Sequence, residues 1–205
     1  RRAALGIVQI LVGSEVGLSL RAAIDAAASV QPVMVTQGVR AEVLAFVQQR
    51  LRGYLLDQGL RYDVVEAVLA EQGDEPLKAM GSARALQEAV GEADWNRILV
   101  AYARAVRITR DLEVQYELQP RRFTEPATRG LYEAYTKAQE AISARPDVPT
   151  LVAALRELVA PITRFFDEVL VMAEDPEVRT NRLALLQRIS ALPKGIADLS
   201  RLEGF

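Results

Sequence analysis

The sequence predicts an all-α protein, a set of helical bundles with about nine to ten helices. Three observations predict it. Apolar residues recur at three- and four-residue spacing through almost every segment and almost nowhere alternate. The breaks between periodic runs are short and carry Gly, Pro or a capping side chain. Half of the 205 residues are hydrophobic, which supplies a sizeable core.

Taken in order, the spacing predicts a first helix from about Ala3 to Leu11. A second runs from Ser19 to Ser29, with Ser19 as N-cap. A polar loop, Gln31 to Gly38, follows, in which Val33-Met34-Val35 could extend briefly. The third helix covers Arg40 to Leu56 and stops at Gly59; Val43, Leu44, Val47, Leu51, Tyr54 and Leu55 form its apolar stripe. The fourth opens near Tyr62-Asp63, with Asp63 or Arg61 at its start. A break at Gln72-Gly73-Asp74-Glu75 precedes a fifth helix, Pro76 to Val90, whose proline sits where a missing N–H costs nothing.

After Gly91-Glu92-Ala93, Asp94 can cap a helix from Trp95 to about Leu112. Glu113 to Glu125 is expected to be irregular. Helices are then expected from Pro126 to Ser143 and from Pro149 to Met172, the latter kinked or split at Pro161. The last long helix, Glu177 to Leu192, ends at Pro193, and a short one can follow from Lys194. The natural division places residues 1–91 in one domain and 92–205 in another.

Composition excludes several chemistries. With no cysteine and no histidine, the chain can hold no disulfide, thiolate metal site or Ser-His-Asp triad. No Asp/Glu cluster suggests a magnesium site. Gly6, Gly13 and Gly17 match no phosphate loop, so neither a catalytic residue nor a metal ligand is expected. The net charge of -2 excludes a globally basic nucleic-acid binder, and any RNA contact must come from a local patch. No apolar run approaches the length of a membrane span. The chain opens on Arg1 already in helical periodicity, as expected of a piece of a longer protein.

Local patches do exist. Arg97, Arg104, Arg107 and Arg110 lie on one predicted helix with no acidic residue between them. Such a strip can track phosphates, or it can be a solvated face making ion pairs across the bundle. Arg121-Arg122-Phe123, with Tyr116 before and Arg129 after, pairs arginine with aromatics as sites for splayed bases do. Equally, Phe123 can staple the next helix. Trp95, Tyr132, Tyr135, Phe165 and Phe166 read as core or staple residues. On the last long helix Arg182 falls within the apolar face and Arg179 at its border. A charge on a core face needs a partner, so Arg182 is expected in a structural ion pair with Asp167 or Glu174. Asn181 is expected to point more outward, as a further RNA-contact candidate beside Arg179.

The run Phe165-Phe166-Asp167-Glu168-Val169-Leu170-Val171-Met172-Ala173-Glu174-Asp175-Pro176-Glu177-Val178-Arg179-Thr180-Asn181-Arg182, followed by Ile196-Ala197-Asp198-Leu199-Ser200-Arg201-Leu202, resembles the carboxyl terminus of the beta subunit of the bacterial two-subunit glycyl-tRNA synthetase. Gln48-Gln49-Arg50-Leu51-Arg52-Gly53-Tyr54-Leu55 and Tyr62-Asp63-Val64-Val65-Glu66-Ala67 resemble a middle segment of that subunit. Arg1-Arg2-Ala3-Ala4-Leu5-Gly6-Ile7 resembles the stretch after the family's HD-like domain. Arg104-Ala105-Val106-Arg107-Ile108 stands where the family carries Arg-Val-x-Asn-Ile, with Arg107 in place of Asn.

The resemblance implies a DALR-type anticodon-binding domain in residues 92–205, similar to those of arginyl- and cysteinyl-tRNA synthetases. It implies a non-catalytic part of a glycine–tRNA ligase, cytoplasmic, with tRNA(Gly), the alpha subunit and the rest of the beta subunit as partners. Neither membrane nor DNA is implied as a partner. ATP and magnesium would be used at the alpha subunit, with no cofactor in this part. The candidate RNA contacts are Arg97, Arg104, Arg107, Arg110, Arg121, Arg122, Phe123, Arg179 and Asn181. The alternative is a helical interaction module that docks the beta body or alpha subunit without a direct RNA role.

Overall fold

The computed structural model describes residues 2–205; Arg1, which opens the first run, lies outside them. Nine α-helices and two 3-10 turns, with no strand, make up the described residues. They divide into two compact units, residues 2–88 with 195–202, and residues 89–194 with 203–205.

The first unit holds α1 (Arg2–Gly13), α2 (Leu20–Ser29), α3 (Gln37–Asp57), α4 (Tyr62–Gln72) and all but the last two residues of α5 (Pro76–Val90). Ser19 caps α2 by accepting from the Ala22 N–H, and its hydroxyl donates to Asp74 at 2.7 Å. Helix α3 starts three residues earlier than the apolar spacing suggests. Thr36 caps it, and the polar first turn gives no periodic signal. Residues 33–35 form irregular loop. Arg61 stands at the N-cap of α4 without capping it and instead pairs with Asp63 at 2.8 Å. Helix α1 packs Ala4, Val8 and Leu11 against α3, whose Leu44, Val47, Leu51 and Leu55 are buried.

The segment 195–202 belongs to this first unit, whereas the sequence alone assigns everything after residue 92 to the second domain. Pro193 lies just past the end of the preceding helix, and Gly195, at φ 79°, takes a turn that a Cβ would strain. The chain then lies along α4. Asp198 N–H donates to the Ala67 carbonyl at 2.8 Å, and Gly195 N–H donates to Glu71 at 2.7 Å. Ile196, Ala197, Leu199 and Leu202 are buried there. A 3-10 turn, Leu199–Arg201, stands where the sequence suggests a short helix from Lys194.

The second unit is built from α6 (Trp95–Thr109), α7 (Pro126–Ala144), α8 (Val148–Glu168) and α9 (Pro176–Ser190). The short connection between α7 and α8 makes them close neighbours, and α6 packs on both α8 and α9. Phe165, Ile98, Leu99, Leu131, Leu155, Leu158 and Leu185 fill the core. Asp147 caps α8 through the Thr150 N–H, and Asp175 caps α9 through the Glu177 N–H.

Asp94 does not cap as expected, and of the kink or split expected at Pro161 the split does not occur. Asp94 makes no capping hydrogen bond to α6, because its carboxylate is taken by Arg156 at 2.7 Å. Pro161 does not split α8, which runs through it. The carbonyl left without a donor is that of Glu157, an exposed residue, so water can replace the lost bond. Helix α8 ends at Glu168, short of Met172, where Val169 turns extended.

Candidate nucleic-acid interface

Between α6 and α7 the chain leaves helical geometry and runs back along α9. Two buried carboxamides hold it. Gln187 accepts from the Tyr116 N–H at 3.0 Å and donates to the Val114 carbonyl at 2.8 Å. Asn181 accepts from the Gln119 N–H at 2.8 Å and donates to the Gln119 carbonyl at 2.9 Å. Each side chain supplies one donor and one acceptor, as a paired strand would. Six residues of α9 separate the two clamps, about 9 Å of helix, so the segment between them is more drawn out than a helix. It ends in a 3-10 turn, Pro120–Arg122, beside the start of α9.

This arrangement relocates several candidate residues. Asn181 is buried and spent on the clamp instead of pointing outward. Phe123 is buried against Tyr132, ring centroids 5.9 Å apart, and is no open platform for a base. Its place before α7 is the staple position. Arg122 pairs with Glu177 at the first turn of α9. Arg179 donates to the Ala173 carbonyl at 3.2 Å.

Arg182 is 8% exposed. One guanidinium nitrogen donates to the Leu170 carbonyl at 2.7 Å and the other to Glu125. Neither Asp167 nor Glu174 is its partner. A helical wheel gives the face of a side chain and not what the rest of the fold brings to it. Helix α8 ends before Leu170 and exposes that carbonyl, while Glu125 arrives on the residue preceding α7. Burial opposes ionisation of Glu125, but its backbone hydrogen bond and the Arg182 guanidinium outweigh this and hold its carboxyl below the usual range.

The α6 arginines split into two groups. Arg104 lies 3.9 Å from Asp167 and stacks 4.4 Å from the Phe166 ring centroid. Arg97 lines the same side of the unit, in a depression that also holds Arg156, Arg164, Asp167 and Glu168. This half of the strip faces carboxylates. Arg107 and Arg110 are exposed, with no carboxylate at ion-pair distance among the described residues, as is Arg121. Arg107 reaches over the ring of Phe205 at 5.8 Å. Thus the structure leaves Arg107, Arg110 and Arg121 as open cations, sets Arg97 among carboxylates without an ion pair at contact distance, and commits Arg104, Arg122 and Arg182 to acidic partners.

Gln187 was not legible as a structural clamp. It lies on the side of α9 away from the Val178, Leu185, Leu186 and Ile189 face, a side that reads as solvent-exposed in the sequence, yet α9 is buried almost all round, from Asn181 to Gln187. Among the described residues no group of three or more His, Cys, Asp or Glu side chains could hold a metal ion. No described helix is long and apolar enough to cross a membrane.

Comparison with known proteins gives two family matches. Residues 1–70 match the glycyl-tRNA synthetase beta subunit family, and residues 98–198 match the DALR anticodon binding domain. The chain is 38% identical, over its whole length, to "Glycine--tRNA ligase, chloroplastic/mitochondrial 2" of Arabidopsis thaliana, covering 19% of that protein. It is 37% identical to the "Glycine--tRNA ligase beta subunit" of Moorella thermoacetica over 98% of this chain and 30% of that protein. The figures for the beta subunit of Anaeromyxobacter dehalogenans (strain 2CP-C) are 34%, 99% and 30%. The chain spans less than a third of the length of these relatives.

Proposed function

Since this chain belongs to the glycyl-tRNA synthetase beta-subunit family, we propose that it is the anticodon-arm-binding part of a glycine–tRNA ligase. It holds tRNA(Gly) while a separate alpha subunit, using ATP and magnesium, attaches glycine. The observation that carries this reading is the coincidence of the DALR match, residues 98–198, with the four-helix unit that keeps open cations on α6 and on the turn after it. Arg107, Arg110 and Arg121 contact phosphates of the anticodon arm, with Arg97 further along α6. Arg104 and Arg122 join only where RNA phosphate displaces Asp167 or Glu177 from them. These exposed pairs are individually weak, so exchange costs little.

Binding of a glycine tRNA by the full-length protein, with its companion subunit, tests this. Affinity should fall steeply with salt, and alanine at Arg107, Arg110 and Arg121 should make the slope shallower by about one unit per lost phosphate contact. A parent protein whose tRNA affinity ignores salt refutes the reading.

One observation favours a docking role for the first unit alongside it. Helix α3 carries a second apolar stripe, Val39, Val43 and Phe46, that is exposed. An apolar helix face left in water suits contact with the remainder of a longer beta subunit.

A further inference from the structure

The cavity between α7 and α9 differs from its neighbours in charge. Its volume, ≈ 340 Å³, is close to the ≈ 370 Å³ of the hollow between α2 and α3, so size does not set it apart. The α2–α3 hollow carries Asp25 beside Arg21 and Arg40. That between α7 and α8 carries Glu133 and Glu157 beside Lys137. The depression along α8 carries Asp167 and Glu168. The α7–α9 cavity is lined by Arg188 and Lys194 and by no carboxylate. Both cations are exposed and neither forms an ion pair among the described residues. In a chain of net charge -2, two uncompensated cations in one concavity form a local anion site.

The rest of the lining suits more than a bare anion. Ile142, Pro146 and Leu192 give it an apolar floor, and Tyr135 forms a wall. The Tyr135 ring is half-buried and continues the aromatic row of Phe123 and Tyr132. Its hydroxyl donates to Gln139, and burial pushes its pKa up, so it stays neutral. A flat ring and an apolar floor add nothing for inorganic phosphate but do add for a base, which stacks on any aromatic face. The volume is that of an ordinary small-ligand site.

The two cations of the cavity come from the end of α9, Arg188, and from the residues just after it, Lys194. The helix dipole favours a cation at the end of α9, which accounts for Arg188 but not for Lys194, nor for the absence of any carboxylate.

We infer that this cavity is a nucleotide pocket of the second unit, in which Arg188 and Lys194 hold a phosphate of the RNA and a base lies against Tyr135. The inference rests on the tRNA-binding reading above and adds a site to it. The test is tRNA(Gly) binding by the full-length protein with its companion subunit, measured across salt concentrations. The Arg188→Ala, Lys194→Ala double variant should make the salt slope shallower by about one unit per lost contact. Tyr135→Leu should lower affinity about five- to a hundred-fold with the slope unchanged, and Tyr135→Phe should retain the parent affinity. A double variant with the parent slope, or Tyr135→Leu and Tyr135→Phe binding alike, overturns the pocket while leaving the function standing. A parent that shows no salt-dependent tRNA binding removes both.

Discussion

The two units use a similar share of apolar residues in different ways. Among the described residues, nine of the twelve largest fully buried side chains belong to the second unit, and Leu51, Leu55 and Leu86 to the first. Exposure runs the other way. Eleven of the sixteen exposed large hydrophobic side chains, from Ile7 to Tyr62, are in the first unit, and five, from Val100 to Val178, in the second. Met34 is 92% exposed. The second unit is a closed bundle with few large apolar side chains on its surface. The first keeps an apolar surface open to solvent. Matching hydrophobic content therefore says little about whether a helical region is finished; the number of apolar faces per helix says more. Helix α8 has one, buried along its length, whereas α3 has two and buries one.

The sharpest way to break this contrast is in the closed core. Phe165→Ala should destabilise the protein by about 3–5 kcal/mol, since the ring is fully buried between packed helices. A loss below about 1 kcal/mol in chemical denaturation would mean that the second unit can collapse into the gap and is not tightly closed.

A smaller effect is expected at the buried charge. Arg182→Ala should cost about 2–3 kcal/mol. The stranded Glu125 is 34% exposed and regains some water, which keeps the figure at the lower end. The pair also predicts a pH dependence. Glu125 ionises at lower pH in the folded chain than in the unfolded chain. Its contribution is complete above the ordinary glutamate value of about 4.3 and is lost as pH falls through the lowered folded value. The parent should therefore lose more stability than Glu125→Gln on acidification below about pH 4. Equal acid profiles would show that the ion pair adds nothing.

The smallest effect should come from the open face of the first unit. Val43→Thr should change stability by no more than about 0.5 kcal/mol in this chain, since Val43 is already exposed. A larger loss of stability would show that the α3 stripe is covered within the protein as it stands, and the contrast between the units would weaken.

Much of the helical pattern was legible in the sequence. Apolar spacing located the nine helices of the described residues to within a few residues at most ends, and Pro76 and Pro126 marked starts that hold. These are local signals: a periodic stripe, a cap and a missing N–H each act within one or two turns. The errors fall where a distant group competes for a local one. Asp94 has the right chemistry for a cap, yet a guanidinium from α8 takes its carboxylate. At Pro161 only the split is absent: the ring removes one hydrogen bond, and packing along the rest of α8 outweighs that single loss.

By itself the sequence determined the fold class, the absence of cysteine and histidine chemistry, and where arginines run without acidic neighbours. It set Arg182 on a buried face. Only the tertiary structure chose Glu125 and Leu170 as its partners, spent Asn181 and Gln187 on the strap between α6 and α7, and sent residues 195–202 into the first unit. It also divided the arginines into paired and open ones. The physical reason is that helix formation depends on neighbours three and four residues away. A buried polar group must instead find its complement wherever the packed chain supplies one.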